Sequence, residues 1–144
     1  MFCIKCHHKT TQVVNSRPNK KSPNVWRRRQ CPNCGYTFTT REEIALEDYL
    51  LIDGDNFSVP KLAISLVQFL DAHEAAETSY WLARTAGEQL IMASKFETSK
   101  QELQSVIRDV LGRYDPTARV KFELRYGLIS PTASPRRGRP RLKR

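Results

Sequence analysis

Residues 27–40 of this 144-residue chain read RRRQCPNCGYTFTT, three arginines that run into a pair of cysteines and then into a β-prone stretch. A second cysteine pair with the same spacing lies in residues 3–6, which read CIKC. Two residues between thiols let one turn present both sulfurs to a metal ion, and two such turns complete a tetrahedron of ligands. The two pairs use every cysteine of the chain, namely Cys3, Cys6, Cys31 and Cys34. We therefore predict one four-thiolate zinc (Zn²⁺) site.

A site with four thiolates has no open position for a substrate, so the predicted zinc is structural. The segment up to about residue 43 has too few apolar residues to fold on hydrophobic burial alone, and structural zinc contributes about 10–16 kcal/mol to such segments. Buried reduced thiols and disulfides are the alternatives, and the paired spacing without a secretory signal disfavours both. Iron would also suit four thiolates.

The net charge of +9 is unevenly distributed along the chain. Residues 1–41 hold nine Lys or Arg and no Asp or Glu, whereas residues 42–130 hold all fifteen acidic residues against nine basic ones. Residues 131–144 add six basic residues and no acid. Such segregation is typical of a polyanion-binding end joined to a domain with another role. No stretch approaches the roughly 18 apolar residues of a membrane span, which predicts a cytoplasmic protein without a membrane partner.

Three β-prone runs predict strands at residues 12–17, 25–30 and 36–40. Because side chains alternate along a strand, Arg27 and Arg29 are predicted on one face and Arg28 beside Trp26 on the other. Two of these arginines would then meet phosphates or base edges, while the third lies over Trp26 or packs along the ribbon. A solvated charge run is the alternative, which the absence of acid in this segment disfavours.

Residues 44–128 are predicted to form a compact α+β domain. Asp53-Gly54 is a favoured turn dipeptide and predicts a hairpin from residue 49 to residue 57. Ser58 as an N-cap, with a proline two residues later, predicts the first helix. A second helix is predicted over about residues 78–93.

The third predicted helix begins at a capping box of Ser99 and Glu102 and stops at Gly112. Residues 118–126 are ambiguous. Asp115-Pro116 is a helix-start signal, yet apolar and charged residues alternate after it with the period of a strand. Residues 129–144 are predicted to be a disordered basic tail.

Within that tail, residues 137–140 read RGRP, which resembles an AT-hook. Glycine lets the backbone lie flat in a narrow A/T-rich minor groove, whose negative potential attracts Arg137 and Arg139. A generic basic tail is the alternative, and either version adds affinity for DNA.

The N-terminal motifs together resemble the zinc ribbon of the NrdR family, bacterial transcriptional repressors of ribonucleotide reductase genes. Besides the cysteine pairs, the resemblance rests on residues 15–17 (NSR, where the family has Asp-Ser-Arg), 27–29 (RRR) and 38–42 (FTTRE). It implies that residues 1–43 are a zinc ribbon that binds double-stranded DNA, and the tail adds an expected preference for A/T-rich promoter boxes. The candidate DNA-binding residues are Arg17, Arg27, Arg28, Arg29, Arg41, Arg137 and Arg139.

In that family an ATP-cone follows the ribbon, binds ATP or dATP, and switches the oligomer and its DNA affinity. The resemblance implies a homo-oligomer, a regulatory domain over residues 44–128 and a helix at residues 118–126. The family's Lys-Arg-Asp-Gly motif, whose basic pair meets the nucleotide phosphates, is replaced by Leu51-Ile52-Asp53-Gly54. Lys61 is the remaining candidate for nucleotide binding. A cone that keeps only its role in oligomerisation is the alternative.

The first functional hypothesis is a zinc-dependent, DNA-binding repressor of the NrdR type, cytoplasmic and associated with the nucleoid. The alternative is a zinc ribbon associated with RNA or RNA polymerase, whose second domain docks onto a protein. No catalytic residue is assigned, because the metal site is closed and the sequence has no Ser/His/Asp set and no phosphate-binding loop. We expect the protein not to be an enzyme.

Overall fold

The computed structural model describes residues 1–71, 73 and 75–129. Its N-terminal part, the ribbon (residues 1–42), contains one antiparallel sheet in the order β1-β2-β3. The strands are β1 (Gln12–Pro18), β2 (Val25–Gln30) and β3 (Thr37–Glu42). All three predicted strands are confirmed. The only hydrophobic residues that the ribbon buries are Cys3 and Cys31, so it has no apolar core of its own.

The register of the sheet determines which side chains share a face. Arg28 lies opposite Asn15 on β1 and Thr39 on β3, while Trp26 lies opposite Arg17 and Arg41. Since paired residues project to the same side, these side chains form one face, and the predicted separation of Arg28 from its two neighbours is confirmed.

A bulge in β1 is essential to that arrangement. The register shifts between Val13, which pairs with Arg29, and Asn15, which pairs with Arg28. An extra residue in a strand reverses the phase of every side chain that follows it. Without the bulge, Arg17 would project to the opposite face, away from Trp26.

The helical region (residues 43–129) contains five helices and a small second sheet among its described residues. Its elements are α1 (Leu46–Tyr49), β4 (Leu51–Ile52), β5 (Asp55–Asn56), α2 (Val59–Val67), α3 (Ala75–Met92), β6 (Glu97–Thr98), α4 (Lys100–Tyr114) and α5 (Pro116–Arg125). The sheet order is β5-β4-β6, with β4 antiparallel to β5 and parallel to β6. The fold class is therefore α+β, with a β ribbon followed by a mainly helical part.

The predicted starts of α2, α4 and α5 are confirmed by their caps. The Ser58 hydroxyl accepts a hydrogen bond from the Lys61 N–H, and the Ser99 hydroxyl accepts one from the Glu102 N–H. The Asp115 carboxylate caps α5, which makes residues 118–125 helical despite their alternating pattern. The tertiary reason is that Ala118 and Phe122, four residues apart, are both buried in the core.

Several details of the predicted elements are wrong. Helix α4 does not stop at Gly112 but continues to Tyr114, because the residue before Pro116 is the one that disfavours the helical conformation. Helix α3 begins at Ala75, three residues before the predicted start. Tyr49 belongs to the short helix α1 and not to the hairpin. The hairpin turn itself is confirmed, since Asp53 and Gly54 both have positive φ, at 52° and 86°.

One apolar core holds the helical region together. Its fully buried side chains include Leu46, Leu50, Leu66, Leu90, Leu111 and Phe122. Gly87 allows α3 to approach α1 and the hairpin, because a Cβ atom there would lie 2.8 Å from both Leu46 Cδ1 and Phe57 Cε1. Among the described residues, no helix has both the length and the apolarity needed to cross a membrane.

A candidate metal centre and a candidate nucleic-acid interface

The structure brings the four cysteines together at one end of the ribbon. Their sulfur atoms all lie within 4.8 Å of one another, with 3.7 Å between Cys3 and Cys34 and 3.6 Å between Cys6 and Cys31. Four sulfurs bound tetrahedrally at about 2.3 Å from a zinc ion are about 3.8 Å apart. A disulfide needs about 2.0 Å, so these distances fit a shared ion and not a covalent bond.

Both cysteine pairs sit in turns of the same construction. The N–H of His7 donates to the Cys3 carbonyl at 3.0 Å, and the N–H of Gly35 donates to the Cys31 carbonyl at 2.9 Å. Each donor residue adopts a left-handed backbone, with φ of 56° at His7 and 69° at Gly35. Glycine does this without strain, whereas histidine does not. His7 is therefore a turn residue of the first pair, not a fifth candidate ligand.

Polar hydrogens near the sulfurs favour their anionic form. The backbone N–H of His8 holds the pKa of Cys6 at about 6, and the Asn33 side chain contributes by donating to the same sulfur at 3.7 Å. The backbone N–H of Cys6 lowers the pKa of Cys3. These donors would stabilise the charge of thiolate ligands, and Asn33 was not recognised in the sequence.

The pKa of Cys34 is shifted in the opposite direction from those of Cys3 and Cys6. The backbone N–H of Tyr36 favours its thiolate, but burial and the three neighbouring sulfurs outweigh that bond and raise the pKa of Cys34 to about 11. Four thiolates at these distances repel one another unless a cation lies between them. The donor set therefore fits a structural Zn²⁺ held by all four cysteines, whose role would be to cross-link the two turns.

One face of the ribbon carries a concave surface rich in arginine. It has a volume of about 470 Å³ and is lined by Asn15, Arg17, Asn19, Trp26, Arg28 and Thr39. We call it the arginine face. Among the residues that the structure describes, no carboxylate contributes to its lining. Arg28 donates to the Thr37 hydroxyl at 3.3 Å, a neutral partner, and no carboxylate within the described ranges lines the surface beside it.

The opposite face of the ribbon is partly neutralised. Arg27 forms an ion pair with Glu42 at 2.6 Å, and Arg29 lies 3.7 Å from the same carboxylate. Their remaining donors reach hydroxyls, Arg27 to Ser16 at 3.0 Å and Arg29 to Thr40 at 3.1 Å. Sequence reasoning placed these two arginines correctly on one face but missed Glu42, which projects from β3 to the same face and lies opposite Val25.

Arg41 lies at the boundary between the ribbon and the helical region. Its guanidinium is 6.0 Å from the ring centroid of Trp26 and 5.1 Å from that of Trp81 on α3, and it pairs with Glu43. This predicted DNA-binding residue is therefore engaged in contacts within the protein, although it projects to the side of the arginine face.

A buried polar network joins the ribbon to α3. Arg84 pairs with Glu43 at 2.7 Å and with Glu88 at 3.0 Å, and Glu88 accepts a hydrogen bond from Asn24 of the β1–β2 connection at 3.3 Å. Arg84, Glu88 and Asn24 are all more than nine-tenths buried. The only sequence signal for this network was an Arg and a Glu four residues apart in a helix, which usually indicates an exposed pair.

The predicted nucleotide-binding residue Lys61 lines a groove of about 560 Å³ at the start of α2. Among its described lining residues the only other cation is Lys100, which pairs with Asp53 at 3.3 Å, and Asp55 also lines the groove. Ile52, at a position where the resembled family has a basic residue, is buried. The predicted DNA-binding residues Arg137 and Arg139 lie outside the described residues.

Four clustered cysteines on a three-stranded sheet, followed by a helical region, define the class of zinc-ribbon proteins with a second α+β part. Residues 1–42 match the family model described as "Transcriptional repressor NrdR-like, N-terminal domain".

Similarity to known proteins extends well beyond the ribbon. The chain is 31% identical to the transcriptional repressor NrdR of Shouchella clausii over 127 residues, which cover 85% of this chain and 84% of the relative. It is 30% identical to that of Oceanobacillus iheyensis, over 85% of this chain and 81% of the relative. For Lactobacillus helveticus the identity is 30%, over 79% and 72%. The chain therefore belongs to the NrdR family of transcriptional repressors.

Proposed function

We propose that this protein is a zinc-dependent repressor that binds double-stranded DNA through the arginine face of its ribbon. The observation that carries the proposal is the placement of Arg17 and Arg28 on one concave face that no carboxylate of the described part of the chain lines. Arginine makes bidentate hydrogen bonds to phosphate and to guanine, and uncompensated guanidinium groups release counterions from DNA when they bind it.

Arg27 and Arg29 have a supporting role in this proposal. Their ion pairs with Glu42 reduce the charge that they can offer to phosphates. They would therefore hold β2 against β3, while Arg28 and Arg17 meet the DNA. Arg41 would contribute less than Arg28, because Glu43 already pairs with it.

The roles that we propose for the three parts of the chain rest on their charges and on the fold. Residues 1–43 would bind DNA, residues 44–128 would form an ATP-cone-like oligomerisation domain, and residues 129–144 would add an A/T-preferring basic tail through Arg137 and Arg139. Exposed apolar side chains on α2, such as Ile64 and Val67, support self-association. Promoter boxes of ribonucleotide reductase genes are the proposed targets, and the protein would work at the nucleoid without catalytic activity.

In this proposal the protein binds nucleotides weakly or not at all. A triphosphate needs several cations or backbone donors, and the groove beside Lys61 offers one further lysine that is already paired with Asp53. We expect ATP and dATP to raise the melting temperature little or not at all. A large thermal shift with either nucleotide, together with a change in oligomer mass, would contradict this part.

Family membership does not favour the alternative of an RNA- or RNA-polymerase-associated ribbon.

The decisive experiment is a fluorescence-anisotropy titration of the zinc-loaded protein against two labelled duplexes. One carries the promoter of the host's ribonucleotide reductase genes, and the other is a scrambled sequence of equal composition. We expect tighter binding to the promoter and an affinity that falls steeply with salt. Equal binding to both duplexes would contradict the proposal.

Single arginine variants then locate the interface. Each phosphate contact contributes about 0.9 to the slope of log affinity against log salt. We expect Arg28→Ala and Arg17→Ala each to reduce that slope by about 0.9, the contribution of one phosphate contact. Arg27→Ala should reduce it less, because Glu42 already compensates its charge. Arg125→Ala, an exposed position at the end of α5, is the matched control.

A further inference from the structure

Trp26 occupies an unusual position for a large aromatic residue. It lies in the middle strand of the ribbon sheet, opposite Arg17 on β1 and Arg41 on β3, yet 48% of its surface is exposed. A tryptophan side chain contributes most when its ring is covered, so a half-exposed ring on the middle strand of a sheet indicates a surface that binds a partner.

The protein itself covers this ring in part, and Arg41 is one of the residues over it. The Arg41 guanidinium lies 6.0 Å from its centroid, at the outer limit of a cation–π contact, and is closer to Trp81, at 5.1 Å. The indole otherwise forms a wall of the concave arginine face, with Arg17 and Arg28 beside it. An apolar plane therefore lies beside two guanidinium groups, and no carboxylate of the described residues lines the same surface.

The chemistry of that surface matches one kind of partner. A nucleic acid presents phosphates to arginines while its sugars and base edges offer apolar atoms to an aromatic ring. The volume of about 470 Å³ is within the range of sites that hold a small organic group, which suits a sugar with part of its base.

We infer that Trp26 packs against the sugars and base edges of the bound DNA and supplies the part of the affinity that does not depend on salt. This inference rests on the proposed function, since it requires DNA on the arginine face. Counterion release depends on the number of phosphates that are neutralised, and an uncharged ring neutralises none. Trp26 would therefore change the affinity at every salt concentration by the same factor.

The test compares Trp26→Ala and Trp26→Phe with Arg28→Ala in the full-length, zinc-loaded protein, using the promoter duplex over a series of salt concentrations. We expect Trp26→Ala to weaken binding about fivefold or more with an unchanged salt slope, as aromatic contacts to bases typically do. Trp26→Phe should keep most of the affinity. Arg28→Ala should instead change the slope.

Fluorescence provides a second readout that does not depend on the fold of the alanine variant. Trp26 and Trp81 are the two tryptophans of the chain. In Trp81→Phe, which keeps an aromatic ring beside Arg41, we expect the remaining emission of Trp26 to be quenched when promoter DNA is added. In Trp26→Phe, the emission of Trp81 should change much less.

Three results would overturn the inference while leaving the proposed function intact. One is wild-type affinity in Trp26→Ala, and a second is quenching of Trp81 without quenching of Trp26. A salt slope reduced in Trp26→Ala as much as in Arg28→Ala would also overturn it, because the tryptophan would then act only by positioning arginines. Failure of the wild-type protein to prefer promoter DNA would instead remove the proposed function itself.

Discussion

The ribbon and the helical region are stabilised by different interactions. The ribbon buries no hydrophobic residue besides Cys3 and Cys31, whereas the described residues of the helical region pack twenty buried side chains into one core. A sheet whose shape depends on a metal centre does not need apolar side chains on its faces. The ribbon can therefore carry charged groups on both faces of β2, together with an exposed tryptophan. The helical region must keep one side of its helices apolar to form its core.

Removal of zinc should give the largest effect and the clearest separation of the two parts. In Cys34→Ser, or after chelation, we expect the ribbon to unfold, because metal binding contributes about 10–16 kcal/mol to sites of this kind. The helical circular dichroism signal should remain. Loss of the helical signal together with DNA binding would contradict independent stabilisation, and zinc added back should rescue the chelated protein but not the variant.

The reverse experiment weakens the helical core and leaves the metal centre untouched. Phe122 is buried and its ring contacts Phe69 edge-on at a centroid distance of 5.4 Å. Phe122→Ala should destabilise the helical region by about 3–5 kcal/mol, the usual cost of emptying such a site. Chemical unfolding followed by circular dichroism measures this loss. Zinc content should stay at one ion per chain, and zinc release from the folded variant would argue against the comparison.

The network around Arg84 is the place where the two parts depend on each other. The substitution Arg84→Ala removes the guanidinium that the carboxylates of Glu43 and Glu88 share as a partner. We expect a loss of about 2 kcal/mol, less than for a fully buried pair because Glu43 is partly exposed. Calorimetry should then show the ribbon and the helical region unfolding at temperatures further apart than in the wild type. Arg113→Ala, on α4, is a control that should leave the transition unchanged.

The two turns of the metal centre allow a smaller and more specific test. His7 and Gly35 occupy equivalent left-handed positions, but only the glycine is free of strain. His7→Gly should stabilise the ribbon by about 1 kcal/mol, and Gly35→Ala should destabilise it by a similar amount. Competition with a zinc chelator measures both changes. A weaker zinc affinity in His7→Gly would show that the imidazole has a role beyond the turn.

The smallest expected effect concerns acid sensitivity of the helical region. The Lys95 ammonium, with help from the Thr98 hydroxyl, lowers the pKa of Glu102 in the folded protein. A carboxyl with a lowered pKa contributes stability above its unfolded pKa and loses it as the pH falls through the folded value. Glu102→Gln should therefore flatten the decrease in thermal stability below about pH 4.3. Its zinc affinity at neutral pH should equal that of the wild type.

Much of this fold follows from local sequence signals. Paired cysteines, β-prone runs and an Asp-Gly turn each depend on residues close together in the chain, and all are confirmed. The caps at Ser58, Ser99 and Asp115 are equally local, which is why the helix starts were predicted better than the stop at Gly112. Glycine only permits a helix to end, whereas Pro116 prevents its continuation.

The sequence by itself determined the metal-binding residues, the strands of the ribbon and the division of charge between its two parts. Only the tertiary structure decided which arginines remain free. The bulge at Val13 brings Arg17 to the face of Arg28, and Glu42 on the neighbouring strand neutralises Arg27 and Arg29. The alternation of side chains along β2 determines which arginines share a face. The residues that lie across from each arginine depend instead on the register between strands, and no local sequence pattern specifies that register.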